Sequence, residues 1–302
     1  MPRRSGFLVL GVVAISCAAV LIRLADAPPL VVAGFRLGIA SAVLLPCALI
    51  RARRELRALL HERWPSLFAA GLLLALHFAL WIASLSQTSV ASSVVLVTTT
   101  PLFVALASWG LFREHLRRAT FVGIAISLGG ALLIGCAGMV RGGAALSGNL
   151  MALGAALAMA GYLLIGRRMR LRAGLLAYAT VVFTVAAGAI LVAVAVSDTP
   201  FSGYSTRTYA AMVALALVPQ LVGHMSLNWA LRFLPATMVT VAVLGEPVGA
   251  SFLAWLTLGE APTLLELTGG ALILAGIALA FAWGGAPNGT QSCPGSSDRT
   301  AT

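Results

Sequence analysis

The chain has 302 residues, 60% of them hydrophobic and 10% charged, with a formal net charge of +11 and a mean hydropathy of +0.99. A soluble domain carries about 25% charged residues, so the composition excludes one and specifies an integral membrane protein in a lipid bilayer. The positive balance does not point to nucleic acid, because the basic residues lie in short stretches between apolar runs, without interleaved aromatics or a separate domain to hold them.

About 20 apolar residues make a helix long enough to cross a roughly 30 Å hydrocarbon layer. Ten such windows are predicted: 7–24, 29–50, 65–85, 89–111, 119–138, 148–166, 174–196, 208–230, 236–257 and 264–283. The first follows Arg3 and Arg4 and ends at a small-residue LADA segment, which also resembles a secretory signal. It has a counterpart in the second half of the chain, so it is expected to stay as the first helix. The second window holds Arg36, the cation that stands clearly inside a span. From seven residues below the helix end, about 10 Å, it could reach inward to an anionic substrate or to Glu246, or snorkel outward along its stem.

In the third window His77, Trp81 and Ser84 share one face. In the fourth, Ser89, Ser93 and Thr100 line one side, and Thr98 and Thr99 stand just before Pro101. Threonines so placed either face a substrate or bond to helix carbonyls behind them. Glu114 follows in a loop, and the fifth window carries Gly123, Gly129 and Gly130, small residues that let helices approach closely. The eighth carries Gln220, His224 and Asn228 at intervals of four, a polar stripe beside Pro219. Such a stripe avoids lipid and either lines a cavity or bonds neighbouring helices; His224 taken alone fits simple packing.

The ninth window reads VAVLGEPVGASFL around Glu246. About 15 Å of helix separates this carboxylate from each surface, a depth at which a charge costs about 2.5–3.5 kcal/mol on insertion scales. Ala242, Gly249 and Ala250 leave room beside it, and Pro247 leaves the Val243 carbonyl without its intrahelical donor. Glu246 is therefore either a proton carrier facing a wet cavity or a hydrogen-bonded strut between helices. Before the tenth window, Thr263 and Glu266 fit a helix capping box and Glu260 lies in a loop. From about residue 284 the chain turns Gly-, Ser-, Pro- and Thr-rich, and 285–302 is expected to be a disordered cytoplasmic tail.

Shifting the sequence by 146 positions lays Pro101 on Pro247, Trp109 on Trp255, Glu114 on Glu260, and Gly123 and Gly130 on Gly269 and Gly276. His77 falls opposite Gly223, beside His224. Five spans per copy is an odd number, so the second copy must lie inverted in the membrane, an arrangement of secondary transporters that place substrate near the midplane. The expected fold is all-α, with ten transmembrane helices as two inverted five-helix repeats, 1–140 and 141–284, around a central cavity. The segments TSVASSVVLVTTTPLFVALASWGLFREHLRRATFVGIAISLGGALLIG and PATMVTVAVLGEPVGASFLAWLTLGEAPTLLELTGGALILAGIALA resemble the paired repeats of the EamA family in the drug/metabolite transporter superfamily. The resemblance covers about 6–284 and implies a ten-helix carrier whose relatives export amino acids, other metabolites or drugs. The first copy has threonine where the second has Glu246, so a role for that acid is not duplicated.

All twenty cations are arginines. With a cytoplasmic N-terminus sixteen fall inside, three outside (Arg23, Arg141, Arg207) and Arg36 within a span, which by the positive-inside rule puts both termini in the cytoplasm. The four cysteines form neither a metal-ligand spacing nor a disulfide framework. No GxSxG, HExxH or P-loop motif occurs, so no catalytic residue, metal or cofactor is assigned.

The function expected is export of small organic solutes across a bacterial inner membrane by alternating access, with proton coupling through Glu246 as one form of it. The cavity residues expected are Arg36, His77, Trp81, Thr98, Thr99, Gln220, His224 and Asn228. Two alternatives stay open: an intramembrane enzyme using Glu246 and a histidine on a lipid-like substrate, and a passive scramblase or pore. The sequence also leaves room for a homodimer.

Overall fold

The computed structural model describes residues 2–88, 90–112, 118–142, 146–258 and 263–284. Every element in it is helical. Ser89, Glu114, Glu260 and the tail from 285 lie outside the described residues.

The first half opens with α1 (Pro2–Ser16) and α2 (Ala18–Leu24), a single rod interrupted at Cys17, followed by α3 (Pro29–Arg51). A short helix, α4 (Arg53–Glu62), which the hydropathy pattern did not mark, joins α3 to α5 (Trp64–Gln87). Next come α6 (Val90–Val97), α7 (Thr100–Phe112) and α8 (Arg118–Gly142). The second half contains α9 (Leu146–Arg170), α10 (Leu175–Val196) and α11 (Thr206–Leu215). A π-helical stretch, Ala216–His224, continues α11 into α12 (Met225–Ala230). The last elements are α13 (Ala236–Val243), α14 (Glu246–Leu258) and α15 (Leu264–Gly284), with Thr263 directly before the first residue of α15.

Among the described residues, seven helical stretches are long and apolar enough to cross a membrane. They are Gly6–Leu24, Pro29–Arg51, Trp64–Gln87, Leu146–Arg170, Leu175–Val196, Thr206–Ala230 and Ala236–Thr257; Thr100–Gly110, Arg118–Leu133 and Leu267–Ala280 are shorter apolar helices. Polarity is distributed as lipid requires. Leu106, Trp109, Phe121 and Val192 are each more than 60% exposed, while Arg36, Gln220, Asn228 and Ser84 are fully buried.

Two of the proline-bearing rods are broken rather than bent. Pro101 and Pro247 cannot donate to the turn behind them, and each instead occupies the first turn of a new helix, where its missing N–H is no loss. The breaks fall at Thr98–Thr99 and Leu244–Gly245, positions that coincide under the shift of 146. The same shift places Thr100 at the position of Glu246; these are the first residues of α7 and α14.

The halves interlock. α5 packs along α9 and α3 along α10, and their side chains form the main apolar core together with those of the 216–230 segment. The broken rods cross, α7 meeting α13 and α6 meeting α14, and α8 lies along α15 in the most extensive helix pair. In that pair the sequence direction reverses: Gly123 faces Gly276 while Gly130 faces Gly269, so the two helices are antiparallel.

Candidate functional site

A cavity lies where α1, α3, α5, the α6–α7 break, α9, the π-helical stretch and the α13–α14 break converge. Arg36, His77, Trp81, Thr98, His224 and Glu246 all line it, with Thr100 and Thr240 beside them. Space for the centres of water molecules amounts to about 40 Å³, enough for a few waters and too little for an organic solute without movement.

Arg36 is completely buried. Its Nε donates to Gln220 Oε1 at 2.8 Å, and its guanidinium carbon sits 4.0 Å from the centre of the Phe78 ring. Hydrogen bond and cation–π contact together fix the plane of the guanidinium. Nη1 remains buried without a hydrogen-bond partner. Glu246 is the acid across the same cavity, near enough to interact electrostatically with Arg36. As the first residue of α14, Glu246 stands beside orphan N–H groups and the positive end of the helix dipole. That setting offsets part of the cost of a buried carboxylate.

The α5 face is built around His77, whose Nδ1 lies 3.0 Å from the Ala155 carbonyl of α9. One turn on, Trp81 stacks against His77 with centroids 6.0 Å apart, and Phe78 meets His224 edge to face at 5.1 Å. The imidazoles of the two halves therefore flank one phenyl ring. Trp81 Nε1 and His224 Nδ1 are buried without hydrogen-bond partners.

At the α6–α7 break the threonines cap what the break frees. Thr99 Oγ1 donates to the Leu96 carbonyl at 2.6 Å and Thr100 Oγ1 to the Val97 carbonyl at 2.7 Å. Thr98 and Thr100 line the cavity and Thr99 does not. The stripe on the eighth rod also divides. A π-helical turn is wider than an α-turn, and within it Gln220 turns to Arg36 and His224 to the cavity. Asn228, back in α-helical α12, turns to α9, where its Oδ1 accepts from the Tyr162 hydroxyl at 2.7 Å.

The Asn228 carbonyl accepts from Arg170 Nε at 2.9 Å, and Arg170 also donates to the Ala173 carbonyl. Arg170 thus ends as a buried clasp in α9, which runs four residues past the predicted span, rather than as a solvated loop cation. Sequence reasoning missed Phe78, Thr240 and Tyr162. Phe78 has no polarity to set it apart, whereas a phenol inside a span needs a partner, a signal that could have found Tyr162.

The model of the EamA-like transporter family matches residues 5–136 and again 146–282. The chain belongs to that family. Two Bacillus subtilis (strain 168) proteins of similar sequence are named uncharacterized transporters. YdfC is 30% identical over 255 residues, covering 82% of this chain and 80% of its own length. YwfM is 27% identical over 255 residues, covering 83% and 84%. A solved crystal structure superposes with a TM-score of 0.79 over 94% of this chain and 98% of its own, at 21% identity, which shows a shared fold. The first EamA match ends within α8 and the second begins with α9, and the cavity draws its lining from both, with Arg36 from the first and Glu246 from the second.

Proposed function

We propose that this EamA-family protein is a secondary carrier that exports a small organic solute across the bacterial inner membrane by alternating access. In this reading ten spans form two inverted five-helix repeats, 1–140 and 141–284, with both termini in the cytoplasm. The observation that carries it is the cavity itself: a buried Arg36 and a buried Glu246, contributed by different halves, face one water-sized space at the level of two broken helices. Broken helices at a repeat interface are the usual construction of a transporter's binding site. The antiparallel run of α8 and α15, equivalent helices of the two copies, supports the inversion, and the arginine distribution supports the orientation.

Alternation follows from the tightness of the cavity. A solute larger than a few waters enters only if the halves rock apart on one side, and leaves when they rock apart on the other. Glu246 would couple this to a proton gradient, neutral in one state and ionised in the other, because its environment changes with access to water.

Purified protein in sealed proteoliposomes tests the reading. A carrier gives saturable uptake of at least one amino acid or metabolite and trans-stimulation by unlabelled solute inside. An intramembrane enzyme would form product in detergent with no sealed compartment, and a scramblase or pore would give flux that does not saturate. Either result sinks the carrier reading.

A further inference from the structure

We infer that the solute handled in this cavity carries a carboxylate, and that Arg36 is the residue that docks it; the inference rests on the transport reading of the same cavity. A guanidinium presents its N–H donors in a rigid planar fork and holds its positive charge throughout. In Arg36 the Nε edge is used by Gln220 and one face by Phe78, while Nη1 is buried and unbonded. Leaving a buried charged donor unpaired costs its full desolvation, so the fold holds in place a donor with no protein partner, open to a ligand acceptor that displaces the cavity's water.

Trp81 Nε1 points the same way. Indole nitrogen can only donate, and this one is buried without a partner on the wall of the same cavity. Two obligate donors, one carrying full charge, call for an acceptor-rich anion, and the planar carboxylate matches the fork of the guanidinium. A solute whose only charge is positive offers neither donor an acceptor. Between these polar groups the walls are apolar, with Ile15, Met159, Leu163 and Leu227, so the remainder of the solute is a compact apolar group.

Charge balance narrows the case to two forms of the same chemistry. Arg36 and an ionised Glu246 already cancel. A carboxylate therefore enters either with its own ammonium group, which faces Glu246, or with a proton on Glu246. An amino acid and a simple carboxylic acid share the docking at Arg36 and differ in what Glu246 does.

The test uses the full-length protein in detergent, titrated with L-leucine, 4-methylpentanoate, leucinamide and 3-methylbutylamine, and with the corresponding phenylalanine series. Binding is read by tryptophan fluorescence and by the thermal midpoint. Saturable binding is expected for the amino acid, the simple acid or both, and at least tenfold weaker binding for the amide and the amine. Leucine without 4-methylpentanoate marks the zwitterionic form; both together mark the protonated-Glu246 form. Arg36→Gln should weaken carboxylate binding at least tenfold. Two further changes separate docking from misfolding: Arg36→Lys keeps charge without the fork, Trp81→Phe keeps an aromatic ring without the donor, and each should cost severalfold in affinity for the acids while leaving the weak binding of the amide and the amine as it was. Amides or amines binding as tightly as the acids, affinities indifferent to both Arg36 variants, or no binding by any carboxylate in the panel would overturn the inference. Saturable flux of carboxylate-free solutes, unaffected by Arg36→Lys, would remove it and leave the carrier standing. Carboxylate binding with no flux in sealed vesicles would do the reverse.

Discussion

Gly123 of α8 and Gly276 of α15 meet backbone to backbone: a Cβ on Gly123 would lie 2.6 Å from the Gly276 carbonyl oxygen, and one on Gly276 would lie 2.5 Å from that of Gly123. Under the shift of 146 this pair maps onto Gly269 and Gly130, which form the second close approach of the same two helices. A contact that maps onto its mirror partner is what a two-fold relation between the copies produces. Ser127, between the two approaches, donates from Oγ to the Ile273 carbonyl at 3.2 Å. Without a hydrophobic driving force in lipid, close packing and such bonds hold helices together.

A side chain at these glycines should therefore separate the helices. Gly123→Val is expected to cost about 1–3 kcal/mol, the range for overpacking a tight interior, because backbone and not a flexible side chain stands in the way. Gly129, in the same helix, has open space around its Cβ position, so Gly129→Ala should be nearly neutral. Thermal midpoints of the two variants in one detergent compare them, and equal midpoints would show that the seam does not set stability.

Glu246 sits at the start of α14 with Arg36 across the cavity. Glu246→Gln keeps the shape and hydrogen-bonding atoms but cannot release a proton. If Glu246 is the coupling group, uptake driven by a pH gradient should fall to the level of empty liposomes while exchange of labelled for unlabelled solute persists. Gradient-driven uptake at the original rate in the variant would leave Glu246 with a strut role alone.

Much of this site was legible in the sequence because lipid makes polarity conspicuous. Arg36, Gln220 and Glu246 stand out in apolar runs, and burial of each is the cheapest resolution of its presence there. What periodicity could not supply was local backbone irregularity. The two-residue breaks at 98–99 and 244–245 turn two proline-bearing spans into four short helices, and the π-helical turn from Ala216 separates Asn228 from the Gln220–His224 face. A stripe at intervals of four assumes a uniform helix, and Pro219 had already undermined that assumption. Helix α4 escaped notice for a different reason: with Arg53, Arg54, Glu55 and Arg57 it is too polar to read as a span and too short to stand on hydropathy.

That short helix is anchored by a capping contact. Glu55 accepts from the backbone N–H of Gly174, the residue preceding α10. A carboxylate at a helix N-terminus satisfies an orphan donor and the dipole together. Glu55→Ala should cost about 0.5–2 kcal/mol on the scale of lost N-caps. Because Glu55 is not part of the cavity lining, ligand affinity should not change. A lowered midpoint with unchanged binding is the expected pair of results, and a changed affinity would mean that α4 is tied to the site.

The Tyr162 hydroxyl and Asn228 Oδ1 form the buried bond that turns the end of the eighth rod toward α9. Asn228 Nδ2 already has no partner, so Tyr162→Phe would leave the whole amide of Asn228 unbonded inside the protein. The ring keeps its volume, and only the hydrogen bond is lost. The expected cost is about 1–3 kcal/mol, the penalty for stranding a buried polar group, which exceeds the about 0.5–1.5 kcal/mol net worth of an average bond. Pairing the change with Asn228→Leu, which removes the stranded amide, should recover part of the loss. Thermal midpoints of the single and double variants provide the comparison, and a double variant no more stable than Tyr162→Phe alone would show that the amide was satisfied in another way.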